Sequence, residues 1–565
     1  MTLAGWAQIA IVIVIATLLV RPAGSYIYRV FEGEHTRLDF LLGPLERGLF
    51  RFLRIDAKEE HKWSGYVLRL LAIDFSFILL AFLLLRIQGH LPLNPTHAGG
   101  MKPDLAFNTA ISFATNTNWQ AYAGEVSVSY LSQMMLTMLM FIGPTSGIVL
   151  AIAFMRGLSR KENPHIGNLF ADFVRCILRI LLPLAVVVAL IIVPLGVMQT
   201  LRGPQQVTTL EGQTQDIPGG PVASLESIKH VGTNGGGFFN ANAAHPFESP
   251  SPFTNILFIV LMLLIPTSLT YTLGKYLKNQ RQGWVIFLAI LLLFILFIGL
   301  TYAFESSNTP AMQQGGVTSS GGNMEGKEVR NGVGGSALFG TTTTVSATGS
   351  TNSTHDSYSA MGGMMLIGGM MLNTVFGGCG AGMINIMIFV IFTVFIAGLM
   401  VGRTPEFHGK KIEGREVKLA VVALLAHPVC ILAFTALSMS IPSARSAALN
   451  TGSHGLTEIA YAFTSATANN GSAMAGLAAN TAYYNTTLGI AMLIGRFLVL
   501  IPMVAVAGSL AAKKTVPPTE GTFRTDNPLF AGLLIGIIII ISALTFFPIL
   551  ALGPIAEHLA WLKVF

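Results

Sequence analysis

Solid apolar runs of about 20 residues, separated by short polar connections, recur along the whole chain. They fall at 3–20, 67–86, 131–155, 172–196, 253–274, 284–304, 360–375, 383–402, 419–441, 485–511 and 528–550. A helix crosses the hydrocarbon core of a bilayer with about 20 residues, whereas a membrane strand needs about ten and alternates apolar with polar positions. These runs do not alternate, so they predict membrane-spanning helices. The run 3–20 has no basic stretch before it and no small-residue cleavage site after it, and reads as a retained span.

Basic residues set the orientation. The connections that hold Arg21 to Lys62, Arg156, Lys275, Arg403, Lys410 and Lys513 carry 22 Lys and Arg residues, and the alternate set carries seven. The basic set faces the cytoplasm, which leaves the N-terminus outside. Residues 360–402 then hold two apolar runs but have room for one net crossing. One broken span, interrupted at Phe376-Gly377-Gly378-Cys379-Gly380-Ala381-Gly382, satisfies that parity; a re-entrant helix over 360–375 is the alternative. Irregular backbone at membrane depth survives only where it lines a cavity or is buried in protein. With the broken span the chain has ten transmembrane helices and both termini outside.

Four outer connections carry short stretches of Thr, Asn, Gly and Ser: Thr115-Asn116-Thr117-Asn118, Thr233-Asn234-Gly235-Gly236-Gly237, Ala347-Thr348-Gly349-Ser350 and Asn469-Asn470-Gly471-Ser472. Aligning Thr115, Thr233, Ala347 and Asn469 spaces them by 118, 114 and 122 residues. Near-even spacing implies internal repeats, each a span, a re-entrant loop and a span. The expected units are 67–160, 161–278, 279–412 (with the broken second span) and 413–514, flanked by extra spans within 1–66 and 515–565. All four share one orientation, so the expected fold is an all-α multi-pass membrane protein with pseudo-fourfold repeats around a central pore.

Composition agrees and narrows the chemistry. The chain is 52% apolar and 11% charged with mean hydropathy +0.63, where soluble domains carry about 25% charged residues. Its net charge of +7 comes from the short cytoplasmic connections and implies no nucleic-acid partner. Cys176, Cys379 and Cys430 sit in apolar runs without paired spacing and predict neither a disulfide framework nor a metal cluster.

Carbonyls aimed at a narrow axis can replace the water shell of a cation. Gly235, Gly349 and Gly471 allow this at the third loop position, where loop one has Thr117 instead. Asn116, Asn234, Thr348 and Asn470 take the middle position. No fixed negative charge lies in the ring, which favours a monovalent over a divalent ion. Glu125, Glu248 and Asp356 follow the loops, either concentrating cations at an outer mouth or serving as ordinary solvated acids. Arg496 stands mid-span, as a pathway barrier or in a structural ion pair. Asp74 reads as a buried polar contact, and residues 305–340 as an outer loop without assigned chemistry. The segment Gly321–Glu328 is a poor phosphate-loop match lacking the final Ser/Thr. The chain alone is expected to select and conduct ions, without a nucleotide site and without being an enzyme by itself.

The runs Thr115–Gln120, Gly232–Asn240, His355-Asp356-Ser357, Gly402-Arg403-Thr404-Pro405-Glu406, Asn469–Ser472 and Ala551–Glu557 together resemble KdpA, the family of potassium-binding subunits of the bacterial Kdp potassium-transporting P-type ATPase. The resemblance covers essentially the whole chain. It implies a channel-like subunit in the superfamily of potassium transporters, in the bacterial plasma membrane, with K⁺ as the transported ion. Its implied partners are a KdpB-like ATP-hydrolysing subunit and KdpC-like and KdpF-like subunits. The implied filter is Thr115, Asn116, Thr117, Thr233, Asn234, Gly235, Ala347, Thr348, Gly349, Asn469, Asn470 and Gly471. The implied gate is Gly377, Gly378, Gly380 and Gly382 with Arg496. Two departures stand out: Ala-Thr-Gly in loop three where relatives often have Ser-Cys-Gly, and Asn373 where relatives often have an acid. A self-sufficient K⁺ channel or ion-coupled transporter of the Trk/Ktr kind is the competing reading.

Overall fold

The computed structural model describes residues 1–317, 321–400, 402, 404–517 and 523–562; Arg403, used above for orientation and in the family-like run, lies outside the described residues. Among the described residues, ten helices are long and apolar enough to cross a membrane. They are Leu3–Glu32, Trp63–His90, Tyr130–Ser159, Leu169–Ile192, Pro252–Tyr276, Gln280–Glu305, Ala381–Met400, Gly414–Ser440, Ala482–Ala511 and Pro528–Trp561. Most overrun the apolar segments that predict them, because polar residues at a membrane surface continue a helix as readily as end it. The first runs straight through Pro22 to a left-handed Gly33 cap (φ 68°).

Four shorter helices, Pro103–Ala114, Val222–Val231, Gly332–Val345 and Gly452–Thr467, precede the four polar loops. Each lies between two spans, giving the span–half-helix–span pattern four times. Gly332–Val345 begins inside 305–340, so the reading of that stretch as a featureless loop is corrected. Lys327 within it is buried, with its ammonium 2.7 Å from a Glu305 carboxylate.

Burial separates the spans into two classes. Tyr130–Ser159, Pro252–Tyr276, Ala381–Met400 and Ala482–Ala511, the second span of each repeat, are 67–89% buried along their most apolar stretch; the others are 17–44% buried. The second spans therefore surround the centre and the rest face outward. Small residues let them pack closely: a Cβ on Gly157 would sit 2.6 Å from the Ala507 carbonyl, and one on Gly495 would overlap the Thr467 carbonyl at 1.8 Å.

The third repeat's second span is broken, as the parity of crossings requires. Its first half, Ala360–Leu372, ends on left-handed Asn373 (φ 45°), and the second restarts at Ala381. The break thus starts earlier than the glycine run, and Gly382 belongs to the second helix rather than to the loop. Asn373 is fixed from both sides, its amide donating to the Ala468 carbonyl (3.3 Å) and its carbonyl accepting from Asn385 (2.9 Å).

The start of Leu3–Glu32 and the end of Pro528–Trp561 lie on the face from which the half-helices enter. Gly5 packs against Gly334 in the first turn of the third half-helix, and Glu557 sits 3.0 Å from His454 in the first turn of the fourth. On the opposite face Arg156 pairs with Asp172 (2.6 Å) and Glu32 (3.3 Å). There the buried Lys410 ammonium donates to the carbonyls of Gly157 (2.9 Å), Leu510 (2.7 Å) and Arg160, capping the ends of two central helices.

Candidate functional site

The four half-helices end in one repeated motif. Their C-caps are Thr115, Gly232, Ser346 and Ala468. Each is followed by a left-handed residue: Asn116 (φ 65°), Thr233 (φ 50°), Ala347 (φ 47°) and Asn469 (φ 52°). The next N–H turns back to a carbonyl five residues earlier: Thr117 to Ser112 (2.9 Å), Asn234 to Lys229 (2.7 Å), Thr348 to Thr343 (3.0 Å) and Asn470 to Ser465 (2.8 Å). Cap, left-handed turn and returning bond agree in all four repeats.

This motif corrects the alignment of loop one by one residue. Its triplet is Asn116-Thr117-Asn118, with Thr117 rather than Asn116 in the middle and Asn118 rather than Thr117 third. Thr115 is the helix cap, its hydroxyl donating to the Ile111 carbonyl at 2.9 Å. In a Thr-Asn-Thr-Asn stretch either register reads equally well; capping geometry, invisible in composition, separates them. Loop one therefore departs from glycine with Asn118 (φ 58°), a residue type that tolerates the left-handed region.

The third-position residues Asn118, Gly235, Gly349 and Gly471 line one cavity of about 850 Å³ together with Trp119, Gln120 and Ser472. Beneath its floor the loops touch one another. A Cβ on Gly235 would lie 2.9 Å from the Thr348 carbonyl oxygen and 3.0 Å from that of Asn470. One on Gly349 would lie 2.0 Å from the Asn470 oxygen, and one on Gly471 would lie 1.8 Å from the Thr117 oxygen. Middle-position carbonyls from repeats one, three and four thus crowd against third-position glycines, where any side chain would displace them. Gly349 (φ 87°) and Gly471 (φ 104°) also require a backbone conformation that L-residues seldom adopt.

Asparagine amides brace the ring. Asn116 donates to the Thr233 carbonyl (2.9 Å), Asn469 to the Thr117 hydroxyl (3.0 Å) and Asn470 to the Thr343 carbonyl (2.8 Å). The Asn118 side-chain oxygen accepts from the Gly235 N–H (3.2 Å). Asn234 donates to the Met140 carbonyl (3.1 Å), which has no helical donor because residue 144 is proline. Asn242, which sequence reading missed, holds the Gly235 carbonyl at 2.8 Å. No carboxylate enters the ring among the described residues, but four half-helix C-termini point their negative dipole ends toward it.

The interrupted segment 373–380 lies against the ring. The Cys379 N–H donates to the Thr233 hydroxyl (3.0 Å), and a Cβ on Gly378 would be 3.1 Å from the Ser346 carbonyl. A Cβ on Gly147, from the first repeat, would be 2.4 Å from the Cys379 carbonyl. The segment therefore contacts all four repeats, counting Asn373 on Ala468. Arg496 is buried beside it, donating to the Gly143 carbonyl at 2.6 Å. Asp74, also buried, accepts from Ser146 at 2.8 Å, a polar contact as expected.

The three post-loop acids separate. Glu248 is not at a mouth: it is fully buried, 3.0 Å from the Lys229 ammonium, which also binds Glu226 at 2.9 Å. Glu125 accepts from the Asn240 N–H (2.9 Å). Asp356 meets His454 at 3.0 Å, and with Glu557 on the other ring nitrogen it pushes that imidazole up to about 10.

The sequence profile of KdpA, described as the potassium-transporting ATPase A subunit, matches residues 10–559. The potassium-transporting ATPase potassium-binding subunit of Mesorhizobium japonicum is 51% identical over 99% of both chains. Those of Delftia acidovorans (51%, over 99% of this chain and 98% of that one) and Brucella anthropi (50%, over 100% and 99%) are similar to the same degree. Among solved structures, the potassium transporter TrkH from Vibrio parahaemolyticus aligns with a TM-score of 0.51 at 15% identity, covering 87% of this chain and 96% of that one. That likeness is one of fold.

Proposed function

The chain belongs to the KdpA family of potassium-transporting ATPase A subunits, and from this premise we propose that it takes K⁺ from outside and delivers it for ATP-driven uptake. The ion is held in the ring formed by Asn116-Thr117-Asn118, Thr233-Asn234-Gly235, Ala347-Thr348-Gly349 and Asn469-Asn470-Gly471. One observation carries this reading: the carbonyls of Thr117, Thr348 and Asn470 converge on glycines of neighbouring repeats, with no charged group among them. Carbonyl dipoles and four half-helix ends supply enough negative potential for a monovalent ion, while the absent carboxylate disfavours Ca²⁺ and Mg²⁺.

The segment 373–380 closes the way straight across, and the Arg496 guanidinium next to it repels a cation that would leak inward. The ion therefore leaves sideways to an ATP-hydrolysing, KdpB-like subunit, with KdpC-like and KdpF-like subunits completing the complex. The bilayer is the bacterial plasma membrane, with both termini outside. The four units 67–160, 161–278, 279–412 and 413–514 each contribute one quarter of the ring.

The test replaces Gly235 with Asp in the assembled complex and measures the K⁺ concentration that half-activates ATP hydrolysis. A carboxylate in the ring should destroy K⁺ affinity or its preference over Na⁺. Unchanged K⁺ activation would overturn the filter assignment. Sustained K⁺ flux through liposomes holding this chain alone would instead favour the self-sufficient transporter.

A further inference from the structure

A cluster on the outer face stands apart from the ring and is used by nothing above. His454 and Glu458 lie one turn apart on the fourth half-helix, and Asp356 comes from the segment after the third loop. One ligand atom from each lies within 4.8 Å of the others. His454 Nε2 is 3.0 Å from Asp356 Oδ1 and 3.9 Å from Glu458 Oε1. We propose that these three side chains bind a divalent transition-metal ion of the zinc class at the outer rim of the protein.

Three further features point the same way. First, the other ring nitrogen, Nδ1, faces Glu557 at 3.0 Å. A carboxylate behind a histidine is the arrangement that orients a metal-binding imidazole and strengthens it as a ligand. Second, Gly476 keeps the centre of the cluster open: a Cβ there would lie 2.3 Å from Glu458 Oε1 and 3.2 Å from Asp356 Oδ1. Two carboxylate oxygens from different repeats thus converge on a spot that only glycine leaves free. Third, a cavity of about 390 Å³, lined by Asp356, His454, Glu557, His558 and Glu325, opens beside the cluster, and among the described residues no Lys or Arg lines it.

The donor set selects the ion. Oxygen ligands alone suit Ca²⁺ or Mg²⁺, whereas an imidazole with carboxylates suits Zn²⁺, with water as the fourth ligand. Asp356 and Glu557 hold the ring as an imidazolium, so on binding the Nε2 proton leaves to water and the lone pair it frees goes to the metal. Glu458 is held ready by Asn450 Nδ2 (2.7 Å) and the Leu449 N–H (3.0 Å).

The bound ion would tie the third loop to the fourth half-helix, with the C-terminal segment behind them. His355, next to Asp356, bonds Tyr461 (2.7 Å), which bonds Ser472 (2.8 Å), which bonds Asn470 of the ring (2.5 Å). Occupancy should therefore alter K⁺ affinity, a consequence that rests on the filter reading; metal binding itself does not.

The experiment titrates Zn²⁺ into the purified, chelator-treated complex by calorimetry and measures zinc content after dialysis. The expected result is one Zn²⁺ per chain, abolished by His454→Gln and by Asp356→Asn, and weakened roughly ten- to hundred-fold by Glu557→Gln. Gly235→Asp, which tests the filter, should leave Zn²⁺ binding intact, so the two readings fail separately. No saturable Zn²⁺ binding, or equal binding by His454→Gln and Asp356→Asn protein that elutes as folded complex, would overturn the site. Ca²⁺ binding as tightly as Zn²⁺ would overturn the metal class.

Discussion

Gly471→Ala is the sharpest perturbation of the proposed filter. Its Cβ would start 1.8 Å from the Thr117 carbonyl oxygen, whereas unstrained contacts sit near 3.5 Å. One of the two backbones must therefore retreat by more than an ångström, and Thr117 supplies one of the ring's carbonyls. The φ of 104° at Gly471 adds strain of about 1–3 kcal/mol for an L-residue. Losing one well-placed oxygen in addition brings the effect to about 3 kcal/mol, or about a hundredfold weaker apparent K⁺ affinity. The assay is K⁺-dependent ATP hydrolysis by the assembled complex, with size-exclusion chromatography to confirm assembly. Gly235→Ala is the graded comparison, because its Cβ meets oxygens at 2.9 and 3.0 Å and needs only a few tenths of an ångström. Gly536→Ala, with nothing within 4 Å, is the control. Folded Gly471→Ala complex with K⁺ affinity matching the Gly536→Ala control would refute the reasoning.

Three more expectations can be checked. Arg496→Met removes a buried positive charge whose repulsion at an effective dielectric near 20 is on the order of 2 kcal/mol; ATP-independent Rb⁺ flux through the complex should rise about thirtyfold, and no rise would remove Arg496 as a barrier. Lys410→Met leaves the Gly157 and Arg160 carbonyls at a helix end without their donor, while Leu510 keeps the Lys513 N–H, and should lower stability by about 2–4 kcal/mol, seen as a depressed thermal midpoint in detergent; an unchanged midpoint would contradict the capping role. Burial pushes the His408 imidazole down to about 4, so between the ordinary value near 6.5 and about 4 the unfolded chain binds a proton that the folded one refuses. Stability should accordingly fall as pH drops into that window, by up to about 2 kcal/mol at pH 5, and be unaffected above it. Comparing thermal midpoints of the native protein and His408→Asn from pH 7 to 5 checks this; parallel curves would dismiss it.

Much of this architecture is legible in the chain itself. Apolar runs long enough to cross a bilayer, the lopsided placement of Lys and Arg, and the parity of crossings suffice for ten spans and for a break within 360–402. Hydrophobic burial and backbone satisfaction in lipid act over local stretches, so their demands are written locally. The spacing of polar loops likewise exposes the fourfold repeat, and glycine at 235, 349 and 471 marks where backbones approach.

What local pattern leaves open is whatever depends on which segments meet. The loop-one register turned on a helix cap and a returning hydrogen bond, since Thr-Asn-Thr-Asn looks alike in either frame. Glu248 could not be told from a surface acid until Lys229, 19 residues away, was seen to neutralise it inside the protein. Asn242 lies in an unremarkable run and reaches the ring only through folding. Asp356, His454, Glu458 and Glu557, scattered over some 200 residues, meet in one cluster because the third loop, the fourth half-helix and the C-terminal segment pack together. Composition and periodicity record what each stretch needs from its solvent; the partners of a buried charge, and the carbonyls that meet at an axis, are set by contacts between stretches that carry no mark of one another.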